Sequence, residues 1–286
     1  MNQGQPSKTA EWVARQRAMH QLRDHSRLIL QDPFAVRILS EEQRAKLFLS
    51  DDIHQEFYDQ DMRAFMVARG RYAEDVLARA VDAGVKQYVL LGAGLDTFAY
   101  RNPFVGVRVF EVDHPATQEW KRERLSSASI PIPEHLTFAP VDFESQTLEE
   151  GLRAAGLPWD QPALFCWMGV TYYLTLEAFQ NTLAFMATRP PGSGIVLDYL
   201  LTRERLNELE RRTLEGASQR VASMGEPFTI SFTPEQMTAH LTAAGFTDLE
   251  DLDSHDINTR YFAHRTDGLA LNHWMEHLVS AWRPVG

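Results

Sequence analysis

Two glycines and an aspartate carry the sharpest chemical signal in the sequence. Leu91-Gly92-Ala93-Gly94-Leu95-Asp96 closes a short apolar run that begins at Gln87. Glycine at such a point permits a tight strand-to-helix turn and close approach of the backbone to a ligand. Glu111-Val112-Asp113 ends the next apolar run, with Asp113 19 residues beyond Gly94. A carboxylate in that place can accept hydrogen bonds from both ribose hydroxyls of a nucleoside cofactor. Gly-x-Gly taken by itself is equally compatible with an ordinary βα turn. The dinucleotide fingerprint is incomplete, because its third glycine would fall at Thr97, and Asp96 would set a negative charge beside a pyrophosphate. S-adenosylmethionine carries no phosphate and tolerates an acidic turn.

The elements that must position these residues follow from periodicity. The first third reads as helical, with apolar spacing from Ala10 to Leu22, a proline-initiated segment at Asp32-Pro33, and a longer helix from Asp61 to Ala83 stopped by Gly84. The period then changes. Continuous apolar runs at 87–91, 107–112, 136–141, 163–168 and 195–200 predict strands, separated by helical stretches at 117–125, 147–155 and 176–187. Strands this uniformly apolar are covered on both faces, as in a parallel sheet wrapped by helices. Residues 201–223 read as a charged helical excursion and 234–244 as a further helix. Phe246 to Leu252 and Arg260 to His264 are expected to add two closing strands. The expected organisation is one α/β domain over 1–286: a helical cap (1–84), a core (85–200), a lid insertion (201–235) and the end of the core (236–286).

Composition narrows the function. The chain has 286 residues, 44% apolar, with 28 basic against 39 acidic side chains and a net charge of −11. That balance argues against a nucleic-acid binder, which needs a basic surface. The single cysteine, Cys166, excludes an intramolecular disulfide and a cysteine zinc site, and no metal site is expected. The polar stretch from Met1 to Lys8 lacks a signal region, and no apolar run is long enough to span a bilayer. The expectation is a cytoplasmic protein with neither nucleic-acid nor membrane partners, and with room for a homodimer.

The motifs together resemble the leucine carboxyl methyltransferase family. The resemblance rests on the segment Leu91 to Thr97, Arg101, and Phe110-Glu111-Val112-Asp113-His114-Pro115. Arg17-Ala18, Asp32-Pro33, Arg69-Gly70-Arg71-Tyr72-Ala73-Glu74 and the stretch from Trp167 to Leu174 extend it, and Gly225-Glu226-Pro227-Phe228 and Arg260-Tyr261-Phe262 carry it into the C-terminal third. It implies a Rossmann-like class I methyltransferase fold, a mostly parallel sheet flanked by helices, and S-adenosylmethionine as cofactor. It also implies bacterial relatives that work in natural-product pathways. Carried over residue by residue, an arginine before the first strand grips the methionine carboxylate, with Arg71 the better match to the motif, Arg69 beside it and Arg17 a second candidate. A guanidinium fork suits a carboxylate. Gly92 and Gly94 would pack under the cofactor, Asp113 would hold the ribose, and Asp142-Phe143 would form the adenine pocket. Where many members carry an acidic residue, this chain has Met168.

Methyl transfer from a sulfonium is an in-line displacement whose leaving group needs no proton. A carboxylic acid, with an ordinary pKa near 4, is ionised at neutral pH and needs no base. The expected activity is therefore O-methylation of a small molecule, a carboxylate first, without a catalytic dyad. A phenol or alcohol acceptor would call for a base, with His114, His255 and His264 as candidates. Tyr172, after the fourth strand, is the expected substrate contact. A nicotinamide-dependent oxidoreductase or a non-catalytic protein on the same fold are the alternatives. Trp12, Phe57, Tyr58 and Phe65 in the cap could shape an apolar acceptor pocket.

Overall fold

The computed structural model describes residues 8–24, 27–47, 53–143 and 145–285, and the side chains of Lys8 and 53–59 are left aside. The expectations for Met1 to Lys8, Phe57 and Tyr58 lie outside what is described. Two helices, α1 (Lys8–Arg23) and the 30-residue α3 (Ile53–Asp82), pack on each other and form the cap, with the short α2 (Glu41–Lys46) between them. The sheet then begins with β1 (Gln87–Leu91), β2 (Arg108–Asp113), β3 (Leu136–Pro140), β4 (Ala163–Trp167) and β5 (Gly194–Leu200). The crossovers are α4 (Pro115–Ser127), α5 (Leu148–Ala154) and α6 (Leu176–Ala187), and the excursion is α7 (Glu208–Ser223). α8 (Pro234–Ala243), β6 (Thr247–Leu252), the one-turn α9 (Ser254–Ile257) and β7 (Glu276–Trp282) complete the chain.

Seven strands form one sheet in the order β3-β2-β1-β4-β5-β7-β6. The first five run parallel, and β7 inserts antiparallel between β5 and β6. β1, β4 and β5 are buried at every position, which accounts for their unbroken apolar runs. The order reverses between β1 and β4, and open α/β sheets bind ligands in the crevice at such a switch point. Register places the ends of the crevice strands side by side, with Leu91 opposite Val112 and Leu90 opposite Cys166. Cys166 is buried and its thiol is pushed up to about 12 by burial, so it is an apolar wall and not a nucleophile.

One expected strand is absent. Arg260 to His264 is helix running into turn: Asp253 caps α9 by accepting from Asp256 N at 2.9 Å, and the chain continues as a π-turn over Asn258–Phe262 with Phe262 buried. The aromatic pair Tyr261-Phe262 imitates a strand, but the cap sets the local conformation. The closing strand is β7, whose charged start at Glu276 and His277 hides it from a search for apolar runs. Among the described residues, no helix is long and apolar enough to cross a membrane.

The sheet edge supplies a test of packing. A Cβ built on Gly194 would lie 2.4 Å from the Trp282 ring on β7, where the two residues are register partners. Gly194→Ala is expected to lose about 1–3 kcal/mol by overpacking, read as a lower denaturant midpoint with an unchanged slope.

Candidate active site

The glycine turn is held from both sides. Gly92 N and Ala93 N donate to the carbonyl of Val112 at 2.9 and 3.1 Å, tying the end of β1 to the end of β2. Gly92 takes φ +66, and a Cβ there would lie 2.5 Å from Val170 after β4. Glycine is required there on both counts. Asp113 closes the arrangement: Gly94 N donates to its Oδ2 at 2.6 Å and His114 N to its Oδ1 at 2.7 Å. Burial raises the Asp113 carboxyl above its ordinary pKa, against the pull of those two amides.

A cavity of about 840 Å³ opens over this turn. Its walls come from the ends of β1, β2 and β4 below, from α1 and α3 above, and from α7 and the loop 225–229 at the far side. The roof is tied shut in two places. Thr9 Oγ1 on α1 donates to Glu226 Oε2 at 2.5 Å, and the Arg220 guanidinium lies 5.3 Å from the centre of the Trp12 ring. Arg17 reaches from α1 into the turn, donating to the carbonyl of Leu95 and to Asp96 Oδ2 at 3.3 Å. Asp96 Oδ1 in turn accepts from Phe98 N at 2.7 Å. Burial pushes the Asp96 carboxyl up, but Arg17 leads a set of cations that hold it below its ordinary pKa.

The cavity floor is a buried ionic cluster. Arg69 on α3 donates to Asp198 Oδ2 on β5 at 2.9 Å, while Gly169 N donates to Asp198 Oδ1 at 2.7 Å. Gly169 has φ +75, and a Cβ there would come within 3.0 Å of the Arg69 nitrogens. Glu276 on β7 is 4% exposed, lines the cavity, and accepts from Trp274 Nε1 at 2.9 Å. Tyr172 stands beside Tyr173 and Phe228, with ring centroids 4.8 to 5.6 Å apart in the trio. Burial drives the Tyr172 hydroxyl well above its ordinary pKa.

Most of the candidate residues converge on this cavity. Arg17, Arg69, Gly92, Gly94, Asp113, Asp142, Phe143 and Tyr172 all line it, as does Met168. Arg71 does not. It points to solvent and pairs with Asp75 at 2.8 Å, one turn along α3. Positions 69 and 71 lie about 200° apart around a helix, so only one of them can face the sheet. Glu111 is also outside, fully buried and paired with Lys121 at 2.7 Å. Of the three histidines only His114 borders the cavity, and its Nδ1 accepts from Ala116 N at 3.2 Å to cap α4. Phe65 packs on Trp274 in the core, 5.0 Å between ring centroids. Asp198 and Glu276 escaped sequence reasoning; a lone aspartate inside the apolar run 195–200 was the available signal for the first.

The family model of leucine carboxyl methyltransferases matches residues 10–187, which span the cap helices, the glycine turn and the sheet from β1 to β4. The chain belongs to the leucine carboxyl methyltransferase family. A Bacillus subtilis relative provisionally named an S-adenosyl-L-methionine-dependent methyltransferase, YktD, is 39% identical over 214 residues, covering 71% of this chain and 68% of that protein. A similarly named Mycolicibacterium smegmatis relative is 36% identical over 140 residues, 48% of this chain and 47% of its own. Among solved structures, a Thermobifida fusca protein provisionally named a methyltransferase shares the fold at a TM-score of 0.60 and 13% identity, over 99% of this chain and 97% of that one. This methyltransferase therefore uses S-adenosylmethionine.

The lining suits that cofactor. S-adenosylmethionine carries a sulfonium, an ammonium and a carboxylate, hence a net positive charge and no phosphate. Six carboxylates line the cavity against three guanidiniums. Arg17 Nε is buried with no hydrogen-bond partner among the described residues, which leaves a donor beside the turn. Among those residues no cluster of His, Cys, Asp or Glu could hold a metal ion.

The Arg69–Asp198 pair gives the second test. Asp198→Ala strands a buried guanidinium and is expected to cost about 3–5 kcal/mol, measured by denaturant unfolding. Arg71→Ala, at an exposed position and breaking the pair with Asp75, is expected to cost less than about 1 kcal/mol.

Proposed function

We propose that this methyltransferase acts on an oxygen of a small apolar molecule. The observation that carries the reading is the single continuous cavity joining the Asp113 turn to the aromatic wall of Tyr172, Tyr173 and Phe228. The first end has the groups a nucleoside needs and the second has none of them. Met62, Met66, Met275 and Phe228 offer adaptable apolar surface there. The reading agrees with the natural-product branch that the sequence resembles.

The residue roles follow from the lining. Asp113 accepts from the ribose hydroxyls. Asp142 accepts from the adenine amino group, and Phe143 covers the ring. Arg69, held by Asp198, takes the methionine carboxylate, with the free Arg17 Nε as a second donor. Bound S-adenosylmethionine supplies an activated methyl group on a positively charged sulfur. The protein's part is to align the acceptor oxygen, exclude water and keep the cationic sulfur only weakly stabilised. The closed roof made by α1 and α7 serves the second task. Whether the acceptor oxygen belongs to a carboxylate or to a hydroxyl turns on the charge at the cavity floor.

Calorimetric titration with S-adenosylhomocysteine checks the assignment. Binding is expected, and neither heat nor thermal stabilisation at millimolar ligand would overturn it. Asp113→Ala should weaken binding by about one to two orders of magnitude, as losing hydrogen bonds to a charged group implies. Arg69→Ala should weaken binding too, whereas Arg71→Ala should leave it as it is. A fluorescence titration with NADH is expected to show no binding.

A further inference from the structure

We infer that Glu276 is the group that receives the acceptor's proton, and that the acceptor is therefore a neutral, phenol-like hydroxyl compound and not a carboxylate. The inference rests on the methyltransferase reading of the cavity and deepens it.

Ion pairing at the floor is uneven. Arg69 is the one cation there among the described residues, and Asp198 takes it at 2.9 Å. Asp198 is itself filled, since Gly169 N holds its other oxygen. Glu276 thus has no ion pair of its own among the described residues, although it is buried. Such a carboxyl is costly to keep unless something uses it. Its neighbours are Arg69 from α3, Asp198 from β5, Tyr172 and Tyr173 from the segment after β4, and the indole of Trp274. Trp274 Nε1 can only donate, so this contact prepares Glu276 to accept.

Charge then selects the acceptor. With Asp198, Glu276 and the cofactor's own carboxylate already at Arg69, an acceptor carboxylate would be the fourth carboxyl against a single guanidinium, and like charges in a dry site oppose one another. A hydroxyl brings no charge and offers a proton to Glu276 once that carboxyl is ionised. The aromatic trio of Tyr172, Tyr173 and Phe228 suits a ring behind that hydroxyl.

The step balances. The acceptor O–H bond breaks and its proton passes to Glu276. The acceptor oxygen forms a bond to the methyl carbon, and the C–S bonding pair remains on sulfur as a neutral thioether. One negative and one positive charge disappear together, which a low-dielectric cavity favours. Burial pushes the Glu276 carboxyl up to about 8, with Asp198 raising it further and Arg69 opposing. That places it closer to a phenol, near 10, than an ordinary carboxylate would be.

A matched pair of probes tests this: naphthol and naphthoic acid, the same ring bearing a hydroxyl or a carboxylate. With S-adenosylhomocysteine saturating, wild-type protein should bind naphthol at least about tenfold more tightly. Because a raised carboxyl ionises only as pH rises through about 8, naphthol affinity should climb across that pH. Glu276→Gln keeps the size and an acceptor for Trp274. It should lose this pH dependence, narrow the preference and lower kcat/KM for naphthol about 100-fold, with S-adenosylhomocysteine affinity unchanged. Wild-type protein that prefers naphthoate, binds the two equally or binds neither overturns the assignment, as does full naphthol turnover by the variant. Absence of S-adenosylhomocysteine binding by the wild type overturns the cavity reading and this inference with it. The wild-type preference needs no variant, so a variant that fails to fold does not weaken the test.

Discussion

The buried pair between Arg69 and Asp198 is the constraint on which the rest of the site depends. It joins the cap helix α3 to the central strand β5 across the cavity floor. Neither charge could stay buried without the other. The pair also explains Gly169, because a side chain there would collide with the guanidinium, and it uses the amide of Gly169 to fill the remaining oxygen of Asp198. Cap, sheet and the loop after β4 are thereby fixed by one interaction. The cap is a wall of the site as well as a cover for the sheet.

The glycine turn shows the same economy. Asp96, which sits badly with a phosphate ligand, has a structural task. It accepts from Phe98 N and meets Arg17, whose other contact is the carbonyl of Leu95. Arg17 therefore anchors α1 to the turn. Thr97, which occupies the position of the third dinucleotide glycine, is buried and donates to Asp32. Both departures from the dinucleotide fingerprint are used to bind the cap to the sheet, and a cofactor without phosphates has no claim on either.

What was legible in the sequence was whatever depends on local pattern. Five parallel strands, the glycine turn and the carboxylate of Asp113 each leave a signature within a few residues, and all appear where expected. Arg71 and Arg69 could not be separated by motif matching, because the choice depends on which side of α3 faces the sheet. β7 was illegible for a physical reason: its first residue is a cavity carboxyl, so the strand does not open on an apolar run. Glu276 and Asp198 meet Arg69 only through strand pairing far apart in sequence, and no spacing rule relates them.

The charge pattern and the closed roof belong to one design problem. Cofactor binding needs an excess of carboxylates, and six of them line the cavity. Displacement at a sulfonium needs a site that neither solvates nor pairs that charge too well. Four of the lining carboxylates meet the second demand by being committed elsewhere: Asp113 to the amides of Gly94 and His114, Asp96 to Arg17 and Phe98 N, Glu74 to Arg101, and Glu226 to Thr9. Bonds of this kind spread the negative charge over the backbone and over α1, so the cavity attracts a cation without fixing a single counter-ion at one point. Glu276 is held by the indole of Trp274 and, among the described residues, by no ion pair of its own. It is the floor carboxyl still able to change its protonation while the others keep the shape of the site.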